Sequence, residues 1–299
     1  MELRDIKTIA VVGAGQMGRG IAQVCATAGY RVLVVDLNER LSTDAVSKIA
    51  ASLDRAVERG ILTQSRREEA LSLIQPAPKM DRLREAQLVI EAIPEDLALK
   101  QTLFGELHRV CHPEAILASN TSSISIAKLA AATARPDRVV GLHFMNPAPV
   151  MQLVEIIQAR ETSKETVHVA LDFARRLGKV PVAAKDVPGF IVNRILMPMI
   201  NEAIFALEET VASPEDIDLA MTTGANHPVG PLALADRIGL DTVLAICEVL
   251  YRELNDRKFR PCPLLRRYVE AGRLGRKTGR GFFLYEVSGE REQAASKLM

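Results

Sequence analysis

The stretch TIAVVGAGQMGRGIAQVCATAGYRVLVVD, Thr8–Asp36, decides the fold. A β-branched run, Thr8–Gly13, breaks at Gly13-Ala14-Gly15-Gln16-Met17-Gly18, a G-x-G-x-x-G, and continues as an amphipathic helical pattern from Met17 to Ala28. A second run, RVLVVD, ends on Asp36, roughly 20 residues beyond the first glycine. Strand, glycine turn, helix, strand and terminal acid open a parallel βαβ unit. Glycines let a backbone approach a pyrophosphate, and the helix N-terminus adds amide donors and the positive end of its dipole. A carboxylate ending the second strand accepts from ribose hydroxyls and repels a 2′-phosphate, which favours NAD over NADP. Gly13, Gly15, Gln16, Met17, Gly18 and Asp36 are therefore candidate cofactor residues, with NAD as the cofactor. Arg40 lies close enough to soften that preference.

Further strand-like runs follow: QLVIEAI (Gln87–Ile93), AILAS (Ala115–Ser119) and RVVGLHF (Arg138–Phe144), with helix-like segments between them. Such alternation implies a parallel sheet with crossover helices. Ligands collect at the carboxyl ends of its strands. Asp36, Glu91 and Glu95, Ser119–Ser123 and His143 all fall there. MQLVEII (Met151–Ile157) reads as one more strand, joined to RVVGLHF by the short Asn146–Pro149 loop, so an antiparallel neighbour is expected. A helix around Glu165–Leu177 and the run KVPVAA (Lys179–Ala184) close this part. From Asp186 onward the pattern turns helical: DVPGFIVNRILMPMINEAIFALEE with Pro198 as a kink, SPEDIDLAM with Ser213 as cap, and GLDTVLAICEVLYREL. The expected fold is α/β: a Rossmann-type, mostly parallel sheet domain over residues 1–185, then an all-helical C-terminal domain over 186–299.

Antiparallel pairing brings His143 and Glu155 onto adjacent strands. Each is costly to bury unless something satisfies it, and each can satisfy the other. An imidazole takes or gives a proton near neutral pH, and a carboxylate on its other nitrogen fixes the tautomer. Oxidation of a secondary alcohol needs such a base beside a hydride acceptor. The hydroxyls of Ser119–Ser123 lie beside that centre, and Asn193, near the start of the second domain, is a further polar candidate.

The rest of the composition narrows the class. Of 299 residues, 48% are hydrophobic and 25% charged, ordinary for a globular chain, with length enough for two domains. A net charge of +1 leaves no footprint for nucleic acid or an anionic membrane. Cys25, Cys111, Cys247 and Cys262 are scattered, which suggests neither a zinc site nor a disulfide framework and fits a reducing compartment. MELRDIK lacks the layout of a signal peptide, and no apolar run is long enough to span a bilayer. A cytoplasmic protein is expected.

AVVGAGQMGRGIAQVCATAGY, ASNTSSISI, GLHFMNPAPVMQLVEII, KDVPGFIVNRIL, ANHPVGPLALADRIGLDT and GRKTGRGFF together resemble, in the family's order, the 3-hydroxyacyl-CoA dehydrogenases. The likeness is closest to the family's short, single-function 3-hydroxybutyryl-CoA branch and covers nearly the whole chain. It implies oxidation of an L-3-hydroxyacyl-CoA to the 3-ketoacyl-CoA, with NAD as hydride acceptor. His143 then matches the acid/base and Glu155 its orienting partner, while Ser122 and Asn193 match groups that hold the reacting oxygen and the thioester. Glu95, Lys100, Ser122, Asn146 and Lys277 match cofactor contacts. Ser52 and Arg59, in ASLDRAVERG, fall where the family uses a serine and a lysine for coenzyme A; Arg59 replaces that lysine and binds phosphate through a different geometry. The resemblance also implies a homodimer formed through the helical domain.

Two other readings compete. A relative oxidising L-gulonate keeps the fold and needs no coenzyme A site; Arg55, Arg59 and the SNTSS run favour the acyl-CoA. A non-catalytic NAD-binding structural protein is the other, opposed by the presence of His143, Glu155, Ser122 and Asn193 together.

Overall fold

The computed structural model describes residues 2–77 and 80–285. The chain divides into two compact units, Met1–Phe190 and Ile191–Met299. The first runs β1 (Thr8–Val12), α1 (Gln16–Thr27), β2 (Arg31–Val35), α2 (Glu39–Glu58), α3 (Gln64–Ser72), β3 (Ile74–Pro76), β4 (Leu88–Glu91), α4 (Leu97–Val110), β5 (Ile116–Ser119), α5 (Ile126–Ala130), β6 (Val139–Phe144), β7 (Leu153–Gln158), α6 (Lys164–Arg176) and β8 (Val180–Lys185). The strands form one sheet in the order β3-β2-β1-β4-β5-β6-β7-β8. All neighbours are parallel except β6 and β7. The first six strands thus have the doubly wound order, with its switch point between β1 and β4.

The apolar runs are continuous because helices cover both faces of the sheet. Ile9 and Val11 of β1 face one core cluster with residues of α1, α2 and α6; Ala10 and Val12 face the other, with residues of α4 and α5. Period-two alternation therefore sorts apolar from apolar here. Two expectations are corrected. β3 has no counterpart in the sequence reading: it is three residues long and ends on Pro76, yet it pairs with β2. The MQLVEII strand starts at Leu153, because the amides of Val150 and Met151 both turn back to the Pro147 carbonyl.

The second unit contains α7 (Val192–Glu208), α8 (Pro214–Gly224), α9 (Pro231–Ile238), α10 (Leu240–Leu254) and α11 (Pro263–Glu270). α7 runs through Pro198, and Ser213 caps α8 by accepting from the Asp216 amide. Met197, Ile200, Ile204, Leu232, Val243 and Leu250 form its core. Buried Asp236 accepts from the amides of Phe282 and Phe283 and from the Tyr285 hydroxyl, tying the end of the described chain to α9. No helix among the described residues is long and apolar enough to cross a membrane.

The boundary expected after Lys185 falls a few residues short of the observed division. Asp186 belongs to the first unit because its carboxylate accepts from Ser125 Oγ at 2.7 Å and from the amides of Ile126 and Ala127 at 3.0 and 2.8 Å. Phe190 is buried in the same unit's core. Asp186→Ala should therefore cost about 1–2 kcal/mol, as loss of a helix cap does. The check is a lower urea midpoint with an unchanged slope.

Candidate active site

The glycine turn separates packing from ligand space. Gly13 has φ +109°, and a Cβ there would sit 2.5 Å from the Ala92 carbonyl oxygen. A Cβ on Gly18 would sit 1.7 Å from the Gly13 carbonyl oxygen. Close packing of the turn against its surroundings demands both glycines. Gly15 is different: nothing lies within 4 Å of the position its Cβ would take, and it stands at the N-cap of α1 without a side-chain cap. The helix N-terminus thus opens onto empty space that only a side chain, or a ligand, would fill. Asp36 Oδ2 accepts from the Ala14 amide at 2.6 Å and Oδ1 from the Leu37 amide at 2.7 Å. Each oxygen keeps a lone pair for a hydroxyl. A cavity of about 1010 Å³ covers this turn; Gly13, Gly15, Gln16, Met17 and Asp36 line it beside apolar Leu37, Leu41 and Leu99. These residues fit the adenosine and pyrophosphate part of a dinucleotide.

After β4 the charges change character. Glu91 is fully buried and Lys100 is 1% exposed. Lys100 Nζ donates to Glu91 Oε1 and to the Ile93 carbonyl, and it lies 3.4 Å from Glu95 Oε2. Glu91 Oε2 accepts from Ser119 Oγ at 2.6 Å. Glu95 stands above this pair with 37% of its side chain exposed. Its Oε1 accepts from Thr121 Oγ1 at 2.6 Å, from the amides of Ser122 and Ser123 at 3.0 and 3.1 Å, and from Ser123 Oγ at 2.9 Å. Burial works to raise the Glu95 pKa, but the Lys100 charge and these donors outweigh it and hold the carboxyl below the usual range. Lys100, expected as a cofactor contact, is thus sunk beneath Glu95 with its ammonium engaged.

β6 and β7 place His143 directly opposite Glu155. His143 Nδ1 and Glu155 Oε2 are 2.7 Å apart, with His143 7% exposed and Glu155 fully buried. The His143 ring meets Phe190 edge-on at 5.6 Å. Asn120 Oδ1 accepts from the Phe144 amide at 2.9 Å, which binds the loop after β5 to the end of β6. Gln16 Nε2 donates to Asn146 Oδ1 at 3.1 Å, so two candidate cofactor residues meet across the turn. Beneath that loop, Lys179 Nζ donates to the carbonyls of Ala148 and Met151 at 2.7 and 2.8 Å. Burial draws the Lys179 pKa below the ordinary lysine value.

The first unit thus gathers Gly13–Gly18, Asp36, Glu95, Ser122, Asn146 and His143 at or beyond the carboxyl ends of its strands, with Glu155 of the antiparallel β7 opposite His143. Ser52, within α2, and Arg59, its exposed C-cap, lie outside the residues lining the cavity. The second unit carries Asn193, 9% exposed in the first turn of α7, and Lys277, whose ammonium sits 2.6 Å from both carboxylate oxygens of Asp241. The sequence singles out neither Lys179 nor Asp186, and places Asn120 only as one member of the Ser119–Ser123 run. Their partners are backbone groups far along the chain, which leave no local spacing signal.

The family model described as "3-hydroxyacyl-CoA dehydrogenase, NAD binding domain" matches residues 8–187, and the model of that family's C-terminal domain matches residues 189–285. A probable 3-hydroxybutyryl-CoA dehydrogenase of Bacillus subtilis (strain 168) is 51% identical over 282 residues, covering 94% of this chain and 98% of the relative. The 3-hydroxybutyryl-CoA dehydrogenase of Bradyrhizobium diazoefficiens is 52% identical over 280 residues, covering 94% and 96%. The crystal structure of an (S)-3-hydroxybutyryl-CoA dehydrogenase from Ralstonia eutropha superposes with a TM-score of 0.91 at 50% identity, covering 94% of this chain and 99% of that one.

Lys100→Met should leave Glu91 buried without its cation. The expected loss is about 3–5 kcal/mol, read from the denaturation midpoint. Adding Glu91→Gln to that variant should recover most of it. Equal stability of the single and double variants would contradict the pairing.

Proposed function

We propose how the site works from one premise: the chain belongs to the 3-hydroxyacyl-CoA dehydrogenase family. The reaction is reversible hydride transfer between an L-3-hydroxyacyl-CoA and NAD, with 3-hydroxybutyryl-CoA as first candidate because relatives of about half identity bear that name. The observation that carries the mechanism is the contact of 2.7 Å between His143 Nδ1 and Glu155 Oε2.

A carboxylate beside Nδ1 holds a proton on that nitrogen and leaves the Nε2 lone pair free. Nε2 takes the proton of the substrate's 3-hydroxyl while the hydrogen on the same carbon departs with its electron pair. The carbon–oxygen bond becomes a carbonyl, and Glu155 stabilises the imidazolium that forms. In reverse, the imidazolium returns the proton to the ketone oxygen. A bound nicotinamide supplies the hydride acceptor. Ser122 and Asn193 are assigned to the reacting oxygen and thioester by family likeness. Gln16 and Asn146 brace one another beside the glycine turn, and Asp36 selects NAD through the ribose hydroxyls. Helical spacing puts Lys48, Ser52, Arg55 and Arg59 along one side of α2, which supports a coenzyme A phosphate contact there. Exposed Ile195, Val211 and Leu219 in the helical unit support a homodimer, and four buried free thiols suit a reducing, cytoplasmic setting.

The test is NADH consumption by the purified protein on adding acetoacetyl-CoA, with NADPH in parallel. Turnover with NADH is expected, at least about tenfold faster than with NADPH, given a carboxylate facing the 2′-position. Consumption with neither acetoacetyl-CoA nor longer 3-ketoacyl-CoAs would overturn the substrate class. Equal rates with both cofactors would overturn the role of Asp36.

A further inference from the structure

We infer that Glu95 sets the redox preference of the bound dinucleotide: its carboxylate stabilises the cationic, oxidised nicotinamide over the neutral, reduced one. The inference rests on the proposed reading of a nicotinamide dinucleotide along the carboxyl ends of the strands. Asp36 after β2 holds the adenosine side and the glycine turn after β1 holds the pyrophosphate. The other half then extends over β4, β5 and β6, where Glu95, Ser122 and His143 lie.

The charges in that region do not cancel. Lys100 and Glu91 form a buried pair, in contact and closed off from water. Glu95 adds a second carboxylate on the same lysine, so the three side chains sum to one negative charge. That charge sits on Glu95, the only member with substantial exposure. Its other neighbours, Thr121, Ser122 and Ser123, donate hydrogen bonds without adding charge. The carboxylate is fixed in place before any ligand arrives, and a preorganised charge acts without reorganisation. Oxidised nicotinamide carries a positive ring charge that the reduced ring has lost. A fixed anion nearby therefore binds the two forms unequally, and only such a difference shifts an equilibrium between them. A role confined to clamping the Thr121–Ser123 loop would affect both forms alike.

The experiment measures dissociation constants for NADH and NAD in the intact protein and in three variants. NADH is followed by its own fluorescence, which no tryptophan complicates because the chain has none; NAD is followed by displacement of NADH. Glu95→Gln and Glu95→Ala remove the charge through different side chains and should each weaken NAD about tenfold relative to NADH. Glu95→Asp keeps the charge and should keep the native ratio. A tenfold change in the ratio raises the midpoint potential of the bound two-electron couple by about 30 mV. Equal weakening of both cofactors, or no change in either, would overturn the inference while leaving the dehydrogenase reading intact. Failure of the unmutated protein to bind NADH would overturn both.

Discussion

An imidazole and a carboxylate, withdrawn from water on neighbouring strands, impose the constraint that the rest of the first unit meets. Burying Glu155 alone would carry a penalty of several kcal/mol. His143 removes much of it, because the antiparallel β6–β7 step puts the two residues in direct register. One reversal in an otherwise parallel sheet thus turns two polar residues in apolar runs into a buried, mutually satisfied pair. A slip of one residue would send Glu155 to the opposite face and break its contact with His143. The loop between the strands is held from below by Lys179 and tied by Asn146 to the glycine turn.

The same economy appears along the sheet edge. The segments that end β1 and β2, β4 and β5, and β5 and β6 are tied in pairs: Ala14 to Asp36, Glu91 to Ser119, Glu95 to Ser122 and Ser123, and Asn120 to Phe144. Polar atoms along this edge are thereby fixed by hydrogen bonds between loops rather than by the loops' own conformational preferences. Such preorganisation keeps charges and donors oriented before a substrate arrives, where they cost little to use.

Much of this was legible in the sequence, for local reasons. The glycine turn and Asp36 announce themselves by spacing within one βαβ unit. That the runs carrying His143 and Glu155 lie side by side and antiparallel follows from their closeness in sequence; their direct register is a finding of the structure. The helical second unit shows in its apolar spacing and in the Ser213-Pro214 start. What was hidden depends on distant partners. Lys100 is expected as a cofactor contact; its burial against Glu91, on the preceding strand, has no signature in local spacing. Asp186 reads as the start of the second unit until its carboxylate is found capping α5. β3 is too short, and too close to a proline, for any pattern to reveal it. The ion pair of Lys277 with Asp241, 36 residues away, likewise leaves no local signal.

The most direct measurement compares turnover of acetoacetyl-CoA by the native protein and by His143→Ala, with NADH binding measured on both. The expected result is a loss of about 10²–10⁴-fold in turnover, the usual worth of a general acid/base, with NADH binding retained. Near-native turnover by His143→Ala would contradict the assignment of the buried pair as the proton carrier.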